Sequence, residues 1–185
     1  VQSVYDYSLI QLDGSEIPLS TYKGKVLLLV NVARNSVFNT QLASLEKLNQ
    51  DYKTKGLIVV AIPSNDFGGE EPGTDSDVKK AYTELHPGFI VVARVAVRGK
   101  GQIPLFGFLA SSKDKSIAGD VHWNFTKFVI ARDGQMIARF GPGVDPDAAE
   151  LRLCLEKTLA GTFKKPDKNE EVKDDKKDED EDSDR

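Results

Sequence analysis

The chain has 185 residues, 39% of them hydrophobic, with 29 Asp and Glu against 25 Lys and Arg for a formal net charge of −4. That length suits one domain with a sizeable core and leaves little room for two. No apolar run approaches the roughly 18 residues of a bilayer-spanning helix, so a soluble chain without a membrane span is expected. A single cysteine, Cys154, excludes an internal disulfide, a CxxC pair and a cysteine-rich metal centre.

The charge is unevenly placed. Between Asp167 and Arg185 stand eleven acidic residues against five basic ones, a balance of −6 that leaves +2 for the remainder. Neither a signal nor a transit peptide is visible, and the opening on Val1 rather than Met suggests that an upstream segment, with any address it held, has been removed. A mitochondrial or cytoplasmic compartment is favoured.

In chain order, VYDYSLIQLDGSEIPLSTYKGK (4–25) reads as a small hairpin turning at Asp13-Gly14. KVLLLVNV (25–32) is a continuous apolar run, expected of a strand buried on both faces. NVARNSVFNTQL (31–42) leads from it into a helix whose face carries Leu42, Leu45, Leu48 and Tyr52 and which Gly56 is placed to end. GLIVVAIPS (56–64) is a second buried strand, and NDFGGEEPGTDSD (65–77) a loop by its Gly, Pro and Asp content. A helix from about Ser76 to Leu85 follows, then a third apolar run, GFIVVARV (88–95), and a short helix in IPLFGFLAS (103–111). NFTKFVIARDGQMIARFG (124–141) is a hairpin turning at Asp133-Gly134. Asp145 as N-cap and Pro146 as first helical residue are expected to open a last helix that Gly161 closes.

A buried parallel pair joined through one helix, followed by an antiparallel hairpin and a closing helix, makes an α/β chain of thioredoxin-like arrangement with a central mixed sheet flanked by helices. PLSTYKGKVLLLVNVA, NDFGGEEPG, PLFGFL and WNFTKFVIARDGQMIARFGP, in that order, resemble the glutathione peroxidase family over about residues 4 to 160. The resemblance divides the chain into a glutathione peroxidase-like domain, 1–163, and a charged segment, 164–185.

The resemblance also implies a site. The family's peroxidatic cysteine or selenocysteine falls on Ser36, its glutamine on Asp66, and its tryptophan and asparagine on Trp123 and Asn124. The glycine, apolar residue and threonine that follow the family's nucleophile are here Val37, Phe38 and Asn39. Its optional resolving cysteine would fall near Tyr82 to Leu85, where the chain has none. Peroxide reduction needs a thiolate that becomes a sulfenic acid, and a serine hydroxyl has no such oxidation ladder. An ionised Asp66 accepts hydrogen bonds where an amide would donate one.

Read apart from the resemblance, each residue has a plainer role. Trp123 and Asn124 would open a strand and serve packing and turn satisfaction, Asp66 would be a turn residue, and Ser36 a local cap for the helix that follows. Cys154 borders a helical face of Leu151, Leu155 and Leu159 and reads as a small packing residue, the alternative being a lone redox thiol. Gly68, Gly69 and Gly73 do not make a phosphate loop, because no GK[ST] follows. His86 and His122 lack ligand spacing, so neither a metal nor a cofactor is expected. A Ser36–Asp66–His122 hydrolase constellation is disfavoured, since a strand that turns Trp123 to the site turns His122 away.

The segment KKPDKNEEVKDDKKDEDEDSDR (164–185) lacks an apolar face and is expected to be disordered alone, either as a solubilising extension or as an acidic arm for a basic partner surface. Nucleic acid is a poor direct partner for it. Two functions follow from different classes. The favoured one is a catalytically inactive, peroxidase-like domain acting as a structural or binding subunit with protein partners in a larger assembly. The alternative is a thiol-dependent peroxidase, using glutathione or thioredoxin, with residual or altered activity in the oxidative stress response.

Overall fold

The computed structural model describes residues 1–165, so the charged segment from 164 onward lies, but for its first two residues, outside the described residues. Among them are seven strands and four α-helices. β1 (Ser8–Ile10) and β2 (Glu16–Pro18) pair antiparallel around the Asp13-Gly14 turn, as the sequence predicts. The remaining strands are β3 (Val26–Val32), β4 (Leu57–Pro63), β5 (Ile90–Val91), β6 (Lys127–Ile130) and β7 (Met136–Phe140), and they form one mixed sheet in the order β5-β4-β3-β6-β7.

β3 is the centre of the sheet because six of its seven residues are aliphatic and need no water, Asn31 being the polar exception. All seven residues are buried, parallel to β4 on one side and antiparallel to β6 on the other. Its side chains alternate: Val26, Leu28, Val30 and Val32 face a core shared with α1 (Gln41–Tyr52), α2 (Asp75–Leu85) and α4 (Ala149–Ala160). Leu27 and Leu29 face a second core with the N-terminal segment and α3 (Pro104–Ala110). α1 ends through a short 3-10 turn at Gly56, whose φ of +105° is a left-handed conformation that lets the chain reverse into β4. α2 opens on a capping box in which Thr74 and Asp77 bond each other's backbone N–H groups.

Three expectations need correction. Asp145 and Pro146 do not open the last helix. The Asp145 carboxylate accepts the Asp147 N–H at 2.8 Å and its carbonyl the Ala148 N–H at 2.9 Å, so both acceptors are spent on a turn and α4 starts only at Ala149. The third apolar run forms a strand of two residues. Beyond Val91 its hydrogen bonds divide between two neighbours, Val92 and Val95 donating to the β4 side and Ala93 to Ile10 of the small hairpin. Trp123 and Asn124 stand in the turn before β6 rather than in the strand.

Candidate functional site at the carboxyl end of β3

Three segments meet where β3 ends. The turn 33–40 runs from β3 toward α1, the loop 64–74 runs from β4 to α2, and residues 121–126 lead into β6. Backbone and side chain tie them together. Asn35 N–H donates to the Glu70 carbonyl at 2.9 Å, and Asn31 Nδ2 donates to the Trp123 carbonyl at 3.0 Å. The Phe125 N–H returns a bond to the Asn31 carbonyl at 2.6 Å.

Ser36 lies in the first of these segments and is 2% exposed. Its Oγ accepts the Phe38 N–H at 3.1 Å, a local turn of the kind short hydroxyl side chains make. The expectation that Ser36 caps the following helix is corrected by position: α1 starts at Gln41, and the residue before it is Thr40. The turn thus carries a buried hydroxyl that serves its own backbone. Val37, beside it, is 80% exposed.

Asp66 is in the second segment, and its carboxylate is turned to the stretch after β5. Oδ2 accepts the Val97 N–H at 2.6 Å and the Arg98 N–H at 3.2 Å. Next to it the buried Phe67 ring has the Arg98 guanidinium over one part, 4.7 Å from the centroid, and packs against the Trp123 ring at 5.8 Å and 52°. Trp123 is 37% exposed at this surface, while Asn124 is fully buried. The Asn124 amide donates to Glu70 Oε2 at 2.7 Å and to the Phe67 carbonyl at 3.3 Å. Trp123 and Asn124 are therefore both brought to the 64–74 loop. Ser36, Asp66, Trp123 and Asn124 share one end of the sheet, but Ser36 and Asp66 spend their hydrogen bonds on different backbone segments. His122 is exposed, and His86 caps the end of α2 in a left-handed conformation.

Sequence reasoning missed the group that joins the first two segments. Glu71 is fully buried. Its carboxylate pairs with the Arg34 guanidinium, accepts the Arg34 N–H at 3.2 Å, and accepts the Tyr82 hydroxyl at 2.5 Å. Burial and the adjacent Glu71 charge hold the Tyr82 phenol above its ordinary pKa, so it stays a donor. This contact fastens α2 to the loop. Nothing in GGEEPG separates the buried Glu71 from Glu70, so only the structure could find it.

A second feature was equally invisible. Phe125 is buried with φ of +64°, a left-handed conformation that is unusual for a bulky side chain. Asn31 Oδ1 and Asn124 Oδ1 on either side of it are buried without a hydrogen-bond partner among the described residues. Strain and unfilled acceptors of this kind collect where a fold has been shaped around a site.

The single cysteine is elsewhere. Cys154 lies on the buried face of α4, in the core beneath α1 and β3, and burial raises its thiol pKa. It behaves as packing, as expected. No helix among the described residues is long and apolar enough to cross a membrane.

The family model for glutathione peroxidase matches residues 4–110, which include Ser36 and Asp66. A glutathione peroxidase of Lactococcus lactis subsp. cremoris is 37% identical over 151 residues, covering 80% of this chain and 96% of its own. Glutathione peroxidase 1 of Caenorhabditis elegans is 39% identical over 154 residues, covering 81% and 93%. Among solved structures, GPX1 of T. cruzi superposes with a TM-score of 0.69 at 27% identity, covering 86% of this chain and 97% of that one. A thiol:disulfide interchange protein of the thioredoxin family from Chlorobium tepidum superposes at 0.56 with 17% identity, a likeness of fold alone, over 83% of this chain and 92% of that one. The chain belongs to the glutathione peroxidase family and is built on its α/β, thioredoxin-like fold.

Proposed function

We propose that this chain is a glutathione peroxidase-fold protein without peroxide-reducing activity, acting as a binding or structural component of a larger assembly. One observation carries the reading. At the turn where the family resemblance puts the peroxidatic residue, the side chain is the Ser36 hydroxyl bonded to the Phe38 N–H, and the chain's one thiol is buried in α4 with its pKa raised. A hydroxyl cannot pass an electron pair to peroxide oxygen and be regenerated by a second thiol. Asp66 supports the reading, because its carboxylate holds the Val97 and Arg98 backbone and offers no donor to an anion. What remains at this end of the sheet is a surface, with Val37 and Trp123 exposed upon it.

The test is hydroperoxide consumption by the purified chain with glutathione and, separately, with thioredoxin as reductant. The expected rate equals that of a heat-denatured control. Turnover above that control with either reductant would overturn the proposal in favour of a thiol-dependent peroxidase. The assembly is tested by native mass in extract: a subunit migrates far above the chain's own 20.4 kDa. Migration at the monomer mass would remove it.

A further inference from the structure

We infer that Lys127 and Gln41 are positioning residues for the Ser36 turn, acting through the carbonyl of Pro142 that both of them hold. Lys127 is the first residue of β6, pairs with Val30 of β3, and is fully buried. Its Nζ donates to the Gly141 carbonyl at 3.2 Å and to the Pro142 carbonyl at 3.1 Å. The same Pro142 oxygen accepts Gln41 Nε2 at 2.8 Å. Gln41 is buried and is the first residue of α1. From there the path runs back through the turn: the Gln41 N–H donates to the Phe38 carbonyl at 2.9 Å, and the Phe38 N–H donates to Ser36 Oγ at 3.1 Å.

The chemistry of the buried lysine argues for such a role. An ammonium in the core carries a large desolvation cost, which an unbranched apolar side chain of similar length would avoid. No carboxylate lies within ion-pair distance of Lys127 among the described residues; its nearest charge influence is Asp145 in the same link as Pro142. Packing alone does not account for it. What a lysine supplies and a methionine does not is a fork of donors, here aimed at two consecutive carbonyls of the link between β7 and α4. Fixing Pro142 fixes the oxygen on which the first side chain of α1 is seated, and so where the turn 36–40 must close. This holds whether or not the turn performs any reaction.

The test is amide hydrogen exchange in the whole chain, residue by residue, for Lys127→Met, Gln41→Ala and the double variant. Each single change should accelerate exchange of the Phe38 and Gln41 amides by about tenfold or more while the amides of β3 and β4 stay as protected as in the parent or become more so. The double variant should exchange at these two amides no faster than the faster single one, because both residues act on one carbonyl. Exchange that rises in step across turn and sheet would show a merely structural contribution and overturn the inference. Accelerations that multiply in the double variant would overturn it as well, by showing two separate actions. If Lys127→Met does not fold, Gln41→Ala carries the same comparison of turn against sheet, and unchanged turn amides in that variant would refute the path.

Discussion

The Asp66 carboxylate accepts the Val97 N–H at 2.6 Å, joining the loop after β4 to the stretch that follows β5. With the second bond to Arg98 N–H and the Arg98 guanidinium over Phe67, it fastens residues 97–98 to the base of the candidate site. Asp66→Asn keeps the shape and one acceptor oxygen but removes the charge, and charge-assisted hydrogen bonds are about twice as strong as neutral ones. The expected cost is about 1–2 kcal/mol, a fall in thermal midpoint of roughly 4 °C for a domain of this size. Faster exchange of the Val97 and Arg98 amides should accompany it. An unaltered midpoint and unaltered exchange at these amides would show that the contact is not formed in solution.

At Phe125 the usual order of glycine and alanine should invert. In ordinary strand or helix positions glycine is the worse substitute by about 0.5–1 kcal/mol, because of its backbone entropy. Phe125 has φ of +64°, where a Cβ costs roughly 1 kcal/mol and glycine costs nothing. Both Phe125→Ala and Phe125→Gly lose the buried ring and should be destabilised by about 3–5 kcal/mol. Phe125→Gly should nonetheless be the more stable of the two in urea unfolding. The opposite order would mean that the left-handed conformation is not held in the native state.

Lys127 gives the fold a pH dependence of definite sign. Burial lowers its pKa from 10.5 to about 8. Between those values the unfolded chain binds the proton that the folded chain has released, so the stability contributed by this residue rises with pH across the window from about 8 to 10.5. At neutral pH its charge is a net cost, and relief of that cost is worth about 3 kcal/mol. The difference in unfolding free energy between the parent and Lys127→Met, measured from pH 7 to pH 10, should therefore shift in the parent's favour as pH rises. A difference that is flat across the window would place the lysine in contact with water.

Fold was legible in the residues to a large extent, and the reasons are physical. KVLLLVNV and GLIVVAIPS each carry an unbroken aliphatic run, 26–30 and 57–62, which suits a strand covered on both faces, and Val26–Val32 and Leu57–Pro63 are such strands. Asp133-Gly134 and Asp13-Gly14 marked their hairpins because the turns require a left-handed glycine. Asp145-Pro146 misled, since an aspartate followed by proline suits a helix start and a simple turn alike, and its hydrogen bonds decide between them only in three dimensions. At the candidate site, the contacts were not legible in the sequence. Local sequence cannot tell that Asp66 reaches Val97, that Glu71 is buried under Tyr82, or that Lys127 turns inward from a strand end, because each depends on a segment 11 to 31 residues distant.

Position 36 allows the proposed loss of chemistry to be measured directly. With Cys154→Ala removing the background thiol, Ser36→Cys puts a sulfur where Oγ now accepts the Phe38 N–H. Three features of the turn decide how reactive it will be. The site is 2% exposed, which disfavours the thiolate. One backbone N–H points at it, which favours the thiolate weakly. α1 does not begin until Gln41, five residues on, and the influence of a helix terminus fades within its first turn, so the dipole gives no assistance. The introduced thiol should therefore be oxidised by hydrogen peroxide at a second-order rate within about tenfold of free cysteine, with a pKa at or above the ordinary value of about 8.5. Oxidation about a thousandfold faster than free cysteine, with a pKa below about 7, would mean that the turn still holds a reactive anion in place. The proposed inactivity would then reside in a single side chain, and the proposed binding role would have to stand beside an intact peroxidase scaffold rather than replace it.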